Sequence, residues 1–324
     1  MGVSSSKNKT EDISFNEQIK PKYITLNNKQ ECPIIGLGTS LINDKNDIQI
    51  IYQSIKDGVR LIDIEPNKEE LVGEGINIAI NNGIVRREDL FIVVKLKLEE
   101  KSDPKNALRE SIEQLKLEYV DLYLDQWPSC ICINDPEKYK LIPVKDTWEQ
   151  MERLVEMKLT KSIGVCNYDI QNLINILSIC KIKPVVNEVE FHPYLYQKEL
   201  KEFCEQEKIT LFAYNPLVKG EYVNDRNFDL FEEDVIDKLT DKYINSKFKN
   251  GNLTKGQIIL NWYMSLNIVP ITGTSKPNRM KENLGASNFK LSKDIISLLC
   301  SFEKENKQNR FNNGSNIFGY DIFE

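Results

Sequence analysis

KSIGVCNYDIQNLINILSICKIKPVVNEVEFHP, residues 161–193, holds one full turn of the pattern that decides the fold. Ser162–Asn167 is a short, mostly apolar run, and Val185–Glu190 is a second. Between them, Ile170–Ile179 carries Leu173, Ile176 and Leu177 at helical spacing. Strands that are apolar on both faces suit a parallel sheet covered on both sides, and a helix between two of them makes the crossover. Working outward, the same alternation continues in both directions. Strand candidates lie at Ile35–Ser40, Arg60–Ile64, Leu90–Lys97, Tyr119–Gln126, Thr210–Asn215 and Ile268–Gly273, which with the first two makes eight. Helical patterns separate them at Asp47–Lys56, Glu69–Asn81, Pro104–Leu115 with Asp103 as its cap, Asp146–Met157, Gln197–Glu207, Thr254–Ser265 and Asn278–Leu284. Eight strand–helix units in one chain predict an α/β fold, a closed (β/α)8 TIM barrel rather than an open doubly wound sheet. Tyr23–Leu26 and Cys32–Ile35 flank Asn27-Asn28-Lys29-Gln30 as an N-terminal β-hairpin. Phe231–Lys247 and Lys293–Glu303 are two extra helices outside the eightfold count. The tail from Asn306 carries Phe311, Phe318, Tyr320 and Phe323 among polar residues and reads as a loop that packs on something.

The 324 residues, 40% hydrophobic and 28% charged, have the composition of a globular protein with a large core. A formal net charge of −6 argues against sequence-independent nucleic-acid binding, which needs a basic surface. No apolar run reaches transmembrane length, and residues 1–20 are polar throughout, without a secretory signal, so a cytoplasmic chain is expected. The 7 cysteines are odd in number and scattered, as reduced thiols are. Cys130 and Cys132 lie close, but with a single histidine and no second cluster a zinc site is not expected. Lys-, Asn- and Ile-rich usage points to an AT-rich eukaryotic genome.

Residues 1–20 form a leader before a single barrel domain at 21–324. The leader begins Met-Gly-Val-Ser-Ser-Ser-Lys, which meets the N-myristoylation pattern at Gly2, with Ser6 and Lys7 in place. A plain polar tail is the alternative. One acyl chain, with only Lys7 and Lys9 as a second signal, predicts weak anchoring to a membrane or an assembly.

Several segments, in order along the chain, resemble the aldo-keto reductases. These are Gly36-Leu37-Gly38-Thr39, Gly58-Val59-Arg60-Leu61-Ile62-Asp63, Tyr119–Leu124, Lys161–Tyr168, Asn187–Pro193, and Ile271–Ser275 with Arg279 and Glu282-Asn283-Leu284. The resemblance covers nearly all of residues 21–290. It implies carbonyl reduction with NADP(H), by a tyrosine proton donor, a lysine beside it, an aspartate holding the lysine and a histidine orienting the carbonyl. Asp63 and Lys95 match the aspartate and lysine. The tyrosine should follow Asp63, but no tyrosine occurs from Leu61 to Glu118, and the segment before Val72-Gly73 is about two residues short. Gln126, before Trp127-Pro128, stands where the histidine is expected, and it cannot titrate. The lone His192 matches a structural position after the sixth strand.

For the cofactor, the resemblance implies Thr39 at the first strand end, Cys166, Asn167 and Glu188 at the nicotinamide carboxamide, and Tyr214 stacking on the ring with Asn215 beside it. It also implies Thr274 and Ser275 at a phosphate, Arg279 at the 2′-phosphate and Asn283, next to Glu282, at adenine. Cys166 and Glu188 replace the family's serine and glutamine. Glu65, Asp125 and Glu188 are expected to add carboxylates near the pocket, with Glu65 or Glu188 pairing with Lys95. The expectation is an impaired aldo-keto reductase-like protein with weakened or lost NADP(H) binding and a binding or structural role. The alternative is an active oxidoreductase of a small carbonyl substrate with a non-standard proton donor, such as water held by Gln126 or a cysteine.

Overall fold

The computed structural model describes residues 22–128, 131–132, 140–218, 230–233, 236–238, 253–302, 309–318 and 323. The leader with Gly2, and Tyr320 of the tail, lie outside the described residues.

The chain opens with the expected hairpin. Strands β1 (Tyr23–Thr25) and β2 (Glu31–Pro33) pair antiparallel. Lys29 takes a positive φ of 72° in the turn between them. The barrel then begins with β3 (Gly36–Gly38), β4 (Leu61–Asp63), β5 (Phe91–Leu96) and β6 (Val120–Asp125). A two-residue antiparallel pair, β7 (Ile131–Cys132) and β8 (Lys140–Leu141), interrupts it. It resumes with β9 (Thr160–Cys166), β10 (Val186–Glu190), β11 (Thr210–Tyr214) and β12 (Val269–Gly273). All neighbouring barrel strands are parallel, and β12 pairs with β3 to close the ring.

The helices, numbered in order, are α1 (Ile48–Lys56), α2 (Glu69–Asn81), α3 (Pro104–Leu115), α4 (Val144–Glu156) and α5 (Ile170–Ile179). They continue with α6 (Lys198–Gln206), α7 (Lys255–Ser265), α8 (Pro277–Leu284), α9 (Lys293–Cys300) and α10 (Ser315–Phe318). Their starts are specified locally. The Asp103 carboxylate accepts from Asn106 N at 3.1 Å ahead of Pro104, and Asp169 accepts from Asn172 N at 2.7 Å. Of the two extra helices, the second is α9, three residues shorter than expected. Within the first only residues 236–238 are described as helical, and most of the rest lies outside the described residues.

Strand period places alternate side chains inside and outside the ring. Leu61, Phe91, Val93, Leu122, Leu124, Phe212, Val269 and Ile271 pack in the interior. Leu26 and Cys32 join that cluster from the hairpin, which therefore plugs the end where the strands begin. A Cβ on Gly36 would lie 2.3 Å from Leu61 Cδ2 and 2.6 Å from Ile271 Cδ1, so this inward position has room only for hydrogen. The larger core lies between strands and helices, with Ile51, Ile76, Leu108, Trp148 and Ile259 among its fully buried members. Among the described residues, no helix is long and apolar enough to cross a membrane.

Candidate active site

With one end plugged, the opposite end, where the strands finish, is left open. There a cavity of about 590 Å³ is lined by the ends of most of the barrel strands and by the residues that follow them. This is the face on which barrel chemistry sits.

At its floor is an ion cluster. Lys95, the fifth of the six residues of β5, points inward and is 5% exposed. Its Nζ lies 2.6 Å from Asp63 Oδ2 and 3.0 Å from Glu188 Oε1. Burial opposes the charge on Lys95, but Asp63, Glu188 and Glu65 outweigh it and hold the ammonium well above the usual lysine range. The expected pairing with Lys95 is therefore made by Glu188. Glu65 lines the cavity and influences Lys95 through charge, but no ion pair joins them. Burial raises the Glu65 carboxyl. Burial also pushes Glu188 up to about 8, with Asp63 and Glu65 adding and Lys95 opposing. One oxygen of each ion-pair carboxylate, Asp63 Oδ1 and Glu188 Oε2, is buried with no hydrogen-bond partner among the described residues. Cys166, beside Glu188 on the neighbouring strand, is buried, and its thiol is pushed well up by that burial.

Asp125 does not belong to this cluster, contrary to the reading from sequence. Leu122 and Leu124 of β6 face inward, so Asp125 faces outward. There it pairs with the buried Lys101 at 2.7 Å and accepts from the Tyr168 hydroxyl at 2.8 Å. Lys101 also donates to the carbonyl of Trp127 at 2.5 Å. Asp125 therefore fixes the loop after β6, and Gln126, at the next position, lines the cavity.

The middle of the cleft is a relay of neutral groups. Asn167, in the left-handed region at φ 63°, donates its backbone N–H to the Glu188 carbonyl at 2.8 Å and its amide to the Gln126 carbonyl at 3.0 Å. The Tyr214 hydroxyl donates to Asn167 Oδ1 at 2.8 Å. Asn215, also at positive φ, reaches Glu190 at 3.4 Å. Thr39 holds the other wall: its hydroxyl donates to the Asp63 carbonyl at 3.1 Å and accepts from Glu65 N at 2.8 Å.

The far end is formed by β12 and α8. The Thr274 hydroxyl accepts from Lys276 N at 3.0 Å, ordering the chain just before α8 begins. Arg279 is exposed and lines the cleft. Asn283 is buried, donates to the Thr272 hydroxyl at 3.3 Å, and lines it too. Ser275 is exposed and is not part of the lining, so of the residues expected at the cofactor it alone lies outside the cleft.

His192 stands apart. It is buried with Nε2 3.1 Å from Glu190 and its ring 5.4 Å from that of Phe311. Glu190 anchors the tail as well, accepting from the backbone N–H of Phe311 at 3.1 Å and of Asn312 at 2.8 Å. Burial would raise Glu190, but the His192 and backbone hydrogen bonds hold it below its ordinary value. The tail also packs Phe318 edge-on to Trp127 at 5.6 Å. Trp127, Phe231 and Asn312 line the cleft and were not singled out from the sequence. Trp127 had a signal in its place right after Gln126. Phe231 and Asn312 had none, because only the folded chain brings them to the mouth.

The sequence matches the Aldo/keto reductase family over residues 34–304. It is 35% identical over 291 residues to Aldose reductase B of Dictyostelium discoideum, covering 83% of this chain and 88% of that protein. It is 33% identical over 288 residues to Glyoxal reductase of Bacillus subtilis, covering 88% of this chain and 94% of the other. The crystal structure of the Bombyx mori aldo-keto reductase in complex with NADP superposes with a TM-score of 0.83 at 28% identity, covering 94% of this chain and 99% of that one. Barrel, cleft and sequence agree: the chain belongs to the aldo/keto reductase family.

Proposed function

We propose that this chain binds NADP(H) in the cleft but reduces carbonyls poorly, because proton donation is missing, and that it is kept as a binding component. The cleft volume of about 590 Å³ falls in the range of small-molecule and cofactor sites. Arg279 can pair with a phosphate, the chain ordered by Thr274 leads into the N-terminus of α8, and Asn167 and Tyr214 flank the inner end. When bound, the nicotinamide supplies hydride chemistry, and the protein has to place the carbonyl and give a proton to the developing alkoxide.

The observation that carries the reading is the neighbourhood of Lys95. Its ammonium is engaged by Asp63 and Glu188, and among the described residues the one tyrosine lining the cleft, Tyr214, spends its hydroxyl on Asn167. A positioned proton donor is worth roughly 10²–10⁴ in rate. Gln126 can hold a carbonyl or a water, which supports slow residual turnover and not an efficient reductase. The leader, with lipidation at Gly2, would add weak anchoring at a membrane or an assembly.

Titration of NADPH fluorescence with the purified chain, followed by NADPH oxidation with 4-nitrobenzaldehyde, tests the proposal. We expect binding with little turnover. Failure to bind NADPH at millimolar concentration removes the cofactor half. Turnover within tenfold of an ordinary family reductase removes the other half.

A further inference from the structure

The inner end of the cleft carries more acidic groups than cations. Asp63, Glu65 and Glu188 line it and act on a single cation, Lys95. Other charged lining residues, Arg279 and Glu282, are exposed and belong to the far end with α8. Two features make the inner cluster more than a group of acids. Glu188 is 1% exposed, and its Oε2 has no partner among the described residues although it borders an open cavity. The cluster is also joined directly to the ring-bearing wall: Asn167 takes the Glu188 carbonyl with its N–H and the Tyr214 hydroxyl with its side chain.

The two oxidation states of a nicotinamide dinucleotide carry the same phosphates. Repulsion between those phosphates and the carboxylates therefore cancels when the two forms are compared. They differ in the ring, which is a cation when oxidised and neutral when reduced. An uncompensated buried carboxylate within about 4–6 Å favours the cation and does nothing for the neutral ring.

Resting on the reading that NADP(H) occupies this cleft with its nicotinamide at the inner end, we infer that the site discriminates by oxidation state, holding NADP⁺ more tightly than NADPH. The chain would then report or sequester oxidised cofactor. Glu188 is the principal discriminating residue and Glu65 supports it. Both carboxyls are raised by burial, Glu188 to about 8, so near neutral pH Glu188 is largely protonated and a cationic ring favours release of that proton. The groups facing Glu188 are Asp63 and Glu65 from the β4 end, Lys95 from β5, Cys166 from β9 and Tyr214 from β11. Cys166 and Tyr214 are both raised well above their ordinary ranges by burial and stay neutral, so the titration near pH 8 belongs to Glu188. The preference for NADP⁺ should therefore widen as pH rises.

Isothermal calorimetry of the full chain with NADP⁺ and with NADPH, at pH 6 to 9 and in buffers of different ionisation enthalpy, tests this. We expect at least about tenfold tighter binding of NADP⁺ at the alkaline end, the equivalent of a one-unit carboxyl shift, and a smaller ratio at pH 6. Proton release should accompany NADP⁺ and not NADPH. Glu188→Gln should bring the ratio close to one and flatten its pH dependence, and Glu65→Gln should lower it partway. Equal affinities, or tighter NADPH, at every pH in the native protein would overturn the inference while leaving NADP(H) binding intact. Binding of neither form would instead remove the cofactor reading, and this inference with it.

Discussion

Lys95 illustrates what a buried charge demands of its neighbours. An ammonium buried on the barrel floor must be neutralised whatever the chemistry, and Asp63 does so at 2.6 Å, with a Glu188 carboxyl oxygen 3.0 Å away on the other side. Lys95→Met would leave the buried Asp63 carboxylate without its cation. We expect a loss of about 3–5 kcal/mol at neutral pH, read by urea denaturation. Glu188 gives a signed pH effect. Its carboxyl sits near 8 in the fold against an ordinary 4.5, so between those values the folded chain holds a proton that the unfolded chain has released. Stability from this group is present below pH 4.5 and is lost as pH rises toward 8, by an amount on the order of a few kcal/mol. In Glu188→Gln the stability curve over that window should be flatter than in the parent, and an unchanged slope would mean that Glu188 is ionised throughout. Arg279 carries the preference for a 2′-phosphate in this account, so Arg279→Ala should bring NADP(H) and NAD(H) affinities together in the same calorimeter. The cluster was legible in the sequence because the resemblance to the aldo-keto reductases aligned Asp63 and Lys95 with that family's aspartate and lysine and put Glu188 beside them as a new carboxylate. Asp125 misled because every residue of β6 is buried, so no polar face marks which side points into the ring.

The elements show which sequence features carry geometry. Val72-Gly73 lies where α2 crosses α3. A Cβ on Gly73 would lie 2.7 Å from Leu115 Cα and 2.9 Å from its carbonyl oxygen, both backbone atoms that cannot swing away. Gly73→Ala should therefore cost about 1–3 kcal/mol through separation of the helices, despite alanine's better helix propensity, and a melting temperature equal to the parent's would contradict this. Strand and helix limits were readable to within a few residues because caps such as Asp103 and Asp169 act locally. The tail was not readable to the same degree. Its aromatic residues announced packing, but Glu190 and Trp127, which receive it, lie more than a hundred residues earlier, and nothing local names them.

Across the whole molecule, closure of eight parallel strands brings residues from nearly the full length of the chain to one face. The eightfold alternation made that fold legible, because each unit repeats the same apolar logic. The reaction is a different matter, since one fold hosts many chemistries and a family match does not by itself assign one. The chain keeps a cleft suited to a dinucleotide and places no tyrosine hydroxyl beside Lys95 among the described residues. The decisive measurement is steady-state NADPH oxidation with 4-nitrobenzaldehyde, run beside the Bombyx mori relative under identical conditions, for the parent chain and for Gln126→His. We expect a kcat at least about a hundredfold below the relative for both, since on the proposed reading histidine at 126 still leaves no proton donor beside Lys95. A kcat within tenfold of the relative for the parent chain would contradict it.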